Sequence, residues 1–97
     1  MENQVRYNHF TPNKNEEQVC SSILNMINDL APSDSYVQAK VAQTADGSFN
    51  AIISVNASCG DFKSECTGFS LLNSFLKAQQ EIMSDMNQWK SHRLFAN

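Results

Sequence analysis

Three cysteines, two histidines and ten carboxylates are the side chains of this 97-residue chain that could hold a metal or act as nucleophile, acid or base. Metal binding needs ligands at close, repeated spacing. Cys20, Cys59 and Cys66 lack that spacing, and His9 and His92 lie at opposite ends of the chain. A thiol nucleophile needs Cys59 or Cys20 to meet His9 in space, which the sequence leaves open; structural or solvated roles are the commoner fate of such residues. Glu81 and Asp85 stand four apart, a spacing that serves a solvated helix face far more often than acid–base work. The three glycines, Gly47, Gly60 and Gly68, each fall at a turn or helix border, so no glycine-rich phosphate loop exists. No catalytic, cofactor or metal residue is assigned, and neither enzymatic activity nor a small-molecule substrate is expected.

The chemistry that remains is the recognition of phosphate by cations. The basic residues are Arg6, Lys14, Lys40, Lys63, Lys77, Lys90 and Arg93. Lys90, His92 and Arg93 cluster at the end of a long predicted helix. They can oppose the helix dipole, worth ~0.3–1 kcal/mol, or contact phosphate. Lys40 and Lys63 are expected on the open face of a sheet. Trp89 beside Lys90 could stack on a base, but its place on the apolar stripe of the helix favours packing.

That helix spans Phe69 to Arg93. At 100° per residue Leu71, Leu72, Phe75, Leu76, Ile82, Met83, Met86 and Trp89 share one side. No Gly or Pro interrupts it, Ser70 is a suitable N-cap, and a rod of roughly 36 Å results. The rest of the chain is read as the partner of its apolar side. Residues 2–10 read as a strand, ended by Pro12. Residues 15–30 read as a helix, capped by Asn13 or Asn15, with Val19, Cys20, Ile23, Leu24, Met26, Ile27 and Leu30 on its apolar side. Pro32 ends it. Strands follow at 36–43, 49–57 and 62–66. The Asp46-Gly47 turn separates the first two, and a tight turn at Ser58-Cys59-Gly60-Asp61 separates the next. Phe49, Ala51, Ile53, Val55 and Ala57 alternate with Asn50, Ile52, Ser54 and Asn56, so one face is apolar.

Strands with one polar face belong to a sheet covered on one side only, and two amphipathic helices are available to cover it. The expected fold is a two-layer α+β sandwich in the order β-α-β-β-β-α: one domain over 1–97, a four-stranded sheet, two helices on one face and a crossover after the first strand. The 41% hydrophobic and 18% charged composition suits an ordinary folded domain. A net charge of −3 argues against avid non-specific nucleic-acid binding but allows a local basic patch. No run approaches the ~20 apolar residues of a membrane span. The N-terminus lacks the basic start and apolar run of a signal peptide, so a cytoplasmic location and no membrane partner are expected. Three cysteines without paired spacing make a poor disulfide framework, which agrees. Cys20 and Cys66 fall on apolar faces and are expected as small core residues.

The element order resembles the ribosome hibernation-promoting factor family, the ribosome-associated inhibitors also called sigma-54 modulation proteins. The likeness is best from Asn50 to Arg93. The strand Ala51-Ile52-Ile53-Ser54-Val55 leads into a Gly turn. A short strand with an aromatic and an acidic residue, Gly60-Asp61-Phe62-Lys63-Ser64-Glu65, follows, and a long helix ends in Trp89-Lys90-Ser91-His92-Arg93. The resemblance implies binding to the small ribosomal subunit in the channel of messenger and transfer RNA, restraining translation under stress. It implies contacts to ribosomal RNA phosphates from Lys77, Lys90, His92 and Arg93, with Lys63 and Lys40 beside them. The chain departs from the family in its helices. The first exposes Glu16, Glu17 and Asp29 and the second Glu81 and Asp85, where typical members carry Lys and Arg. Two other readings stand beside this one. A protein-interaction module would keep the fold without RNA binding and pair or dimerise through the open sheet face, near Ile52, or an edge strand. A double-stranded-RNA-binding domain shares the helix–three strands–helix core but needs a basic helix start, where this chain has Ser70-Leu71-Leu72-Asn73-Ser74.

Overall fold

The structure is a computed structural model that describes residues 4–31, 35–58 and 60–95, with side chains over 5–31, 35–58 and 60–89. Its elements are β1 (Gln4–Asn8), α1 (Lys14–Leu30), β2 (Tyr36–Gln43), β3 (Phe49–Ala57), β4 (Gly60–Gly68) and α2 (Leu71–Phe95). The sheet runs β1-β2-β3-β4, with β1 parallel to β2 and the other pairs antiparallel. The expected α+β order and four-stranded sheet are therefore those observed.

Local chemistry explains each element. α1 opens with a capping box: the Glu16 amide donates to Asn13 Oδ1 at 2.8 Å, and the Asn13 amide donates to Glu16 Oε1 at 2.9 Å. Of the two caps allowed by the sequence, Asn13 is the one used. α2 is capped by Ser70, whose Oγ accepts from the Asn73 amide at 3.1 Å. Between β2 and β3, Gly47 takes φ +89, and Asp46 accepts from Thr44 Oγ1 and from the Ser48 amide. Those hydrogen bonds, Thr44's first, hold the Asp46 carboxyl below its usual range. β1 stops at Asn8, shorter than the alternation suggests, because His9 turns into the left-handed region at φ +69.

Both helices cover one face. α1 lies over β1 and β2, α2 over β3 and β4, and the two helices touch. The core joins Cys20, Ile23, Leu24 and Ile27 of α1 with Val37, Ala39 and Val41 of β2, Ala51, Ile53 and Val55 of β3, and Leu71, Phe75, Ala78, Ile82 and Met86 of α2. Small residues let α2 approach β4 closely. Ser64 and Ala78 are both buried, and Ser64 Oγ donates to the Ala78 carbonyl at 2.7 Å.

The helix stripes differ from the wheel in particular places. Phe69 lies before α2 and is 81% exposed, since the helix starts only at Leu71. Leu76 is 43% exposed, while Ser74 and Ala78 are fully buried. The buried line runs through Leu71, Phe75, Ala78, Ile82 and Met86, and Leu76 sits about a third of a turn away from it. On α1 the outer flank of the stripe, Val19, Met26 and Leu30, is likewise open, because α2 lies beside α1 rather than across it.

Candidate nucleic-acid interface

The second face of the sheet bears no helix. Alternation sends Arg6 of β1, Tyr36, Gln38 and Lys40 of β2, Ile52, Ser54 and Asn56 of β3, and Asp61, Lys63 and Glu65 of β4 to this face. Strand register arranges them in rows. One row reads Arg6–Lys40–Ile52–Glu65, the next Gln38–Ser54–Lys63, and a third Tyr36–Asn56–Asp61. At ~4.8 Å between strands, Arg6 and Lys40 are immediate neighbours, and Lys63 lies diagonally beyond Ile52 and Ser54. Arg6, Gln38, Lys40, Ile52, Ser54 and Lys63 line one shallow cavity of about 380 Å³.

Three of the five lysines and arginines whose side chains are described thus meet in one depression. Among the described residues no ion pair joins Arg6, Lys40 or Lys63 to a carboxylate. Two carboxylates border the site on β4. Glu65 is held by Asn50, whose Nδ2 donates to it at 3.0 Å, and Asp61 stands in the Tyr36 row. The result is a local positive potential on a protein of net charge −3, an arrangement suited to binding anions rather than to chemistry on them.

The residues singled out from the sequence do not form one cluster. Lys40 and Lys63 share the cavity. Lys77 is exposed on α2, in the other layer, near Cys66 and Glu81. There the Cys66 thiol donates to Glu81 Oε2 at 3.5 Å; burial and this carboxylate push the thiol up, and Lys77 pulls it the other way. α2 continues as helix to Phe95, but the side chains of Lys90, His92 and Arg93 lie outside the described residues. Trp89 packs edge-on against Phe62 of β4, with ring centroids 6.0 Å apart. Arg6 was missed. Its signal is the Val5-Arg6-Tyr7 alternation of β1, with Val5 and Tyr7 against the core.

The thiol–imidazole pairing left open by the sequence is not made by Cys20. Cys20 is fully buried beside Tyr7, and burial pushes its thiol up to about 11, whereas His9 is exposed. Burial first, and Cys20 second, raise the Tyr7 phenol as well. Cys59 lies outside the described residues. Among the described residues no group of His, Cys, Asp and Glu is placed to hold a metal. No described helix is long and apolar enough to cross a membrane.

No family model and no curated protein matches the chain in sequence. Solved structures do match it in shape. A ribosomal subunit interface protein from Coxiella burnetii superposes with a TM-score of 0.76 at 6% identity, covering 94% of this chain and 99% of that one. The N-terminal domain of Thermus thermophilus Protein Y superposes with a TM-score of 0.70 at 16% identity, covering 92% and 99%. The fold of this chain is that of the hibernation-promoting factor family.

Proposed function

We propose that this protein, sharing its whole fold with ribosomal interface proteins, is itself a ribosome-associated factor. It binds RNA of the small subunit and restrains translation under stress, acting in the cytoplasm and not as an enzyme. The observation that carries this reading is the end-to-end likeness to a ribosomal subunit interface protein. The Arg6–Lys40–Lys63 depression supports it, because phosphate contacts need unpaired cations at matched positions. Lys77, Lys90, His92 and Arg93 serve as further phosphate contacts from the helix layer.

Salt dependence tests it. The three phosphate contacts of the depression alone give log K a slope near −2 against log salt on unpaired RNA, so a fourfold rise in salt weakens binding at least roughly 20-fold, and contacts from the helix layer steepen it. Ribosome pelleting at two salt concentrations should show that loss. Lys40→Gln with Lys63→Gln should reduce both the bound fraction and the salt slope, and the wild type should slow a cell-free translation reaction. Pelleting that ignores salt, or none at all, rejects the reading.

A second reading has its own observation. Val19, Met26 and Leu30 of α1 and Leu76 of α2 expose apolar surface along the helix pair, joined where Gln79 Nε2 reaches Met26 Sδ at 3.9 Å. A protein partner there, or a homodimer, would make the chain an interaction module. Salt-independent partner binding without ribosome association selects it.

A further inference from the structure

We propose that the open sheet face takes an unpaired RNA strand, with Tyr36 stacking on a base while Arg6, Lys40 and Lys63 hold neighbouring phosphates. This deepens the RNA-binding reading above and rests on it. The juxtaposition is of an exposed aromatic ring with cations on one bare surface. Tyr36 is 44% exposed and lies on the same face as Gln38 and Lys40. It is four residues from Lys40, about 13 Å along β2. Arg6 and Lys63 stand on opposite edge strands, about 14 Å apart across the sheet. A four-stranded sheet of this width accommodates two or three bases where sheets bind single strands through aromatic side chains.

Three features choose the occupant. First, an aromatic ring left partly exposed on a bare sheet face suits a splayed base, since every base has a face to stack on. A paired base offers no such face. Second, the cations span too little for a duplex. Double-stranded RNA is gripped over about 16 base pairs through two minor grooves, several times the reach of this cluster. Third, the floor between the cations is Ile52 and Ser54, with Gln38 beside them. A ribose or base edge can rest on Ile52, and Ser54 and Gln38 can hydrogen-bond to it. Asp61 and Glu65 flank Lys63 on β4 and repel phosphate, which favours the β1–β2 side for the backbone and confines its contact with β4 to Lys63.

The experiment is fluorescence polarisation of the full chain with a short labelled oligoadenylate and with a blunt RNA duplex of the same length. The single strand should bind more tightly than the duplex, with a salt slope near −2. Tyr36→Ala should weaken binding about tenfold and leave the slope unchanged, and Tyr36→Phe should restore the affinity. Lys40→Gln should lower the slope by about 0.7. Both side chains point away from the core, and circular dichroism checks that the variants fold. Equal affinity for duplex and single strand overturns the proposal, as does a Tyr36→Ala variant that binds like the wild type. Ribosome pelleting without oligoadenylate binding rejects the sheet-face site alone; absence of both rejects the RNA-binding reading as well.

Discussion

Replacing Phe75 by alanine should nearly unfold the protein, while the same change at its neighbour Leu76 should barely register. Phe75 is the largest of the fully buried side chains. Truncating a buried Phe costs about 3–5 kcal/mol, from lost transfer energy and from the cavity left behind. A domain of this size has of order 5–15 kcal/mol in total. Leu76 is 43% exposed, so little more than half of its surface is covered. Full burial of a Leu is worth about 1.5–3 kcal/mol; partial burial at the rim gives ~1 kcal/mol, and water fills the space left. Alanine's higher helix propensity offsets a few tenths in both variants. With a urea slope of about 1.5 kcal/mol per molar, the midpoint should fall by ~2–3 M for Phe75→Ala and by under ~1 M for Leu76→Ala. Urea titration followed by circular dichroism at 222 nm measures both. Equal losses at the two sites would refute the reasoning, because they would mean that the helix buries the face its wheel suggests rather than the one seen here.

Asn13→Ala removes one half of the capping box of α1 and should cost about 1 kcal/mol in the same titration, with Asn13→Ser close to wild type. Gly68→Ala should cost about 1–3 kcal/mol by overpacking, since an added Cβ would lie 2.8 Å from the Ser74 amide nitrogen and closer still to Asn73; thermal unfolding reports it. Alkaline stability should fall between pH 9 and 11. An ordinary thiol ionises at 9.0 in the unfolded chain, but burial holds the Cys20 proton to about 11 in the fold. Over that window the folded state binds more protons, so stability is intact below pH 9 and is lost, on the order of 1–2 kcal/mol, as pH rises through 11. Cys20→Ala should flatten the decline; an unchanged pH profile in that variant would assign it to other groups, such as Tyr7.

Much of this architecture is local and so was legible in the residues. An Asn at 13 or 15 before an amphipathic run, Ser70 before Leu71, and Asp46-Gly47 each carry their own geometry, and the alternation Phe49 to Ala57 says which side of β3 is oily. These are short-range effects, decided within a few residues by hydrogen bonding and steric fit. Neighbours across elements are another matter. β1 lies parallel to β2, in a register that sets Arg6 against Lys40, and two antiparallel pairings carry that line through Ile52 to Glu65 and bring Lys63 into the next row. Periodicity tells which face of its own strand a cation occupies but not which cation of another strand stands next to it. The same holds for Leu76, exposed because it sits a third of a turn off the line α2 buries, and for Lys77, which shares a charge type with Lys63 yet sits in the opposite layer. Residue pattern marks where each element runs and, to within a third of a turn on the helices, which side is oily; that three distant cations and one tyrosine share a bare sheet follows from packing, because register and layer assignment are settled by the burial of the whole core at once.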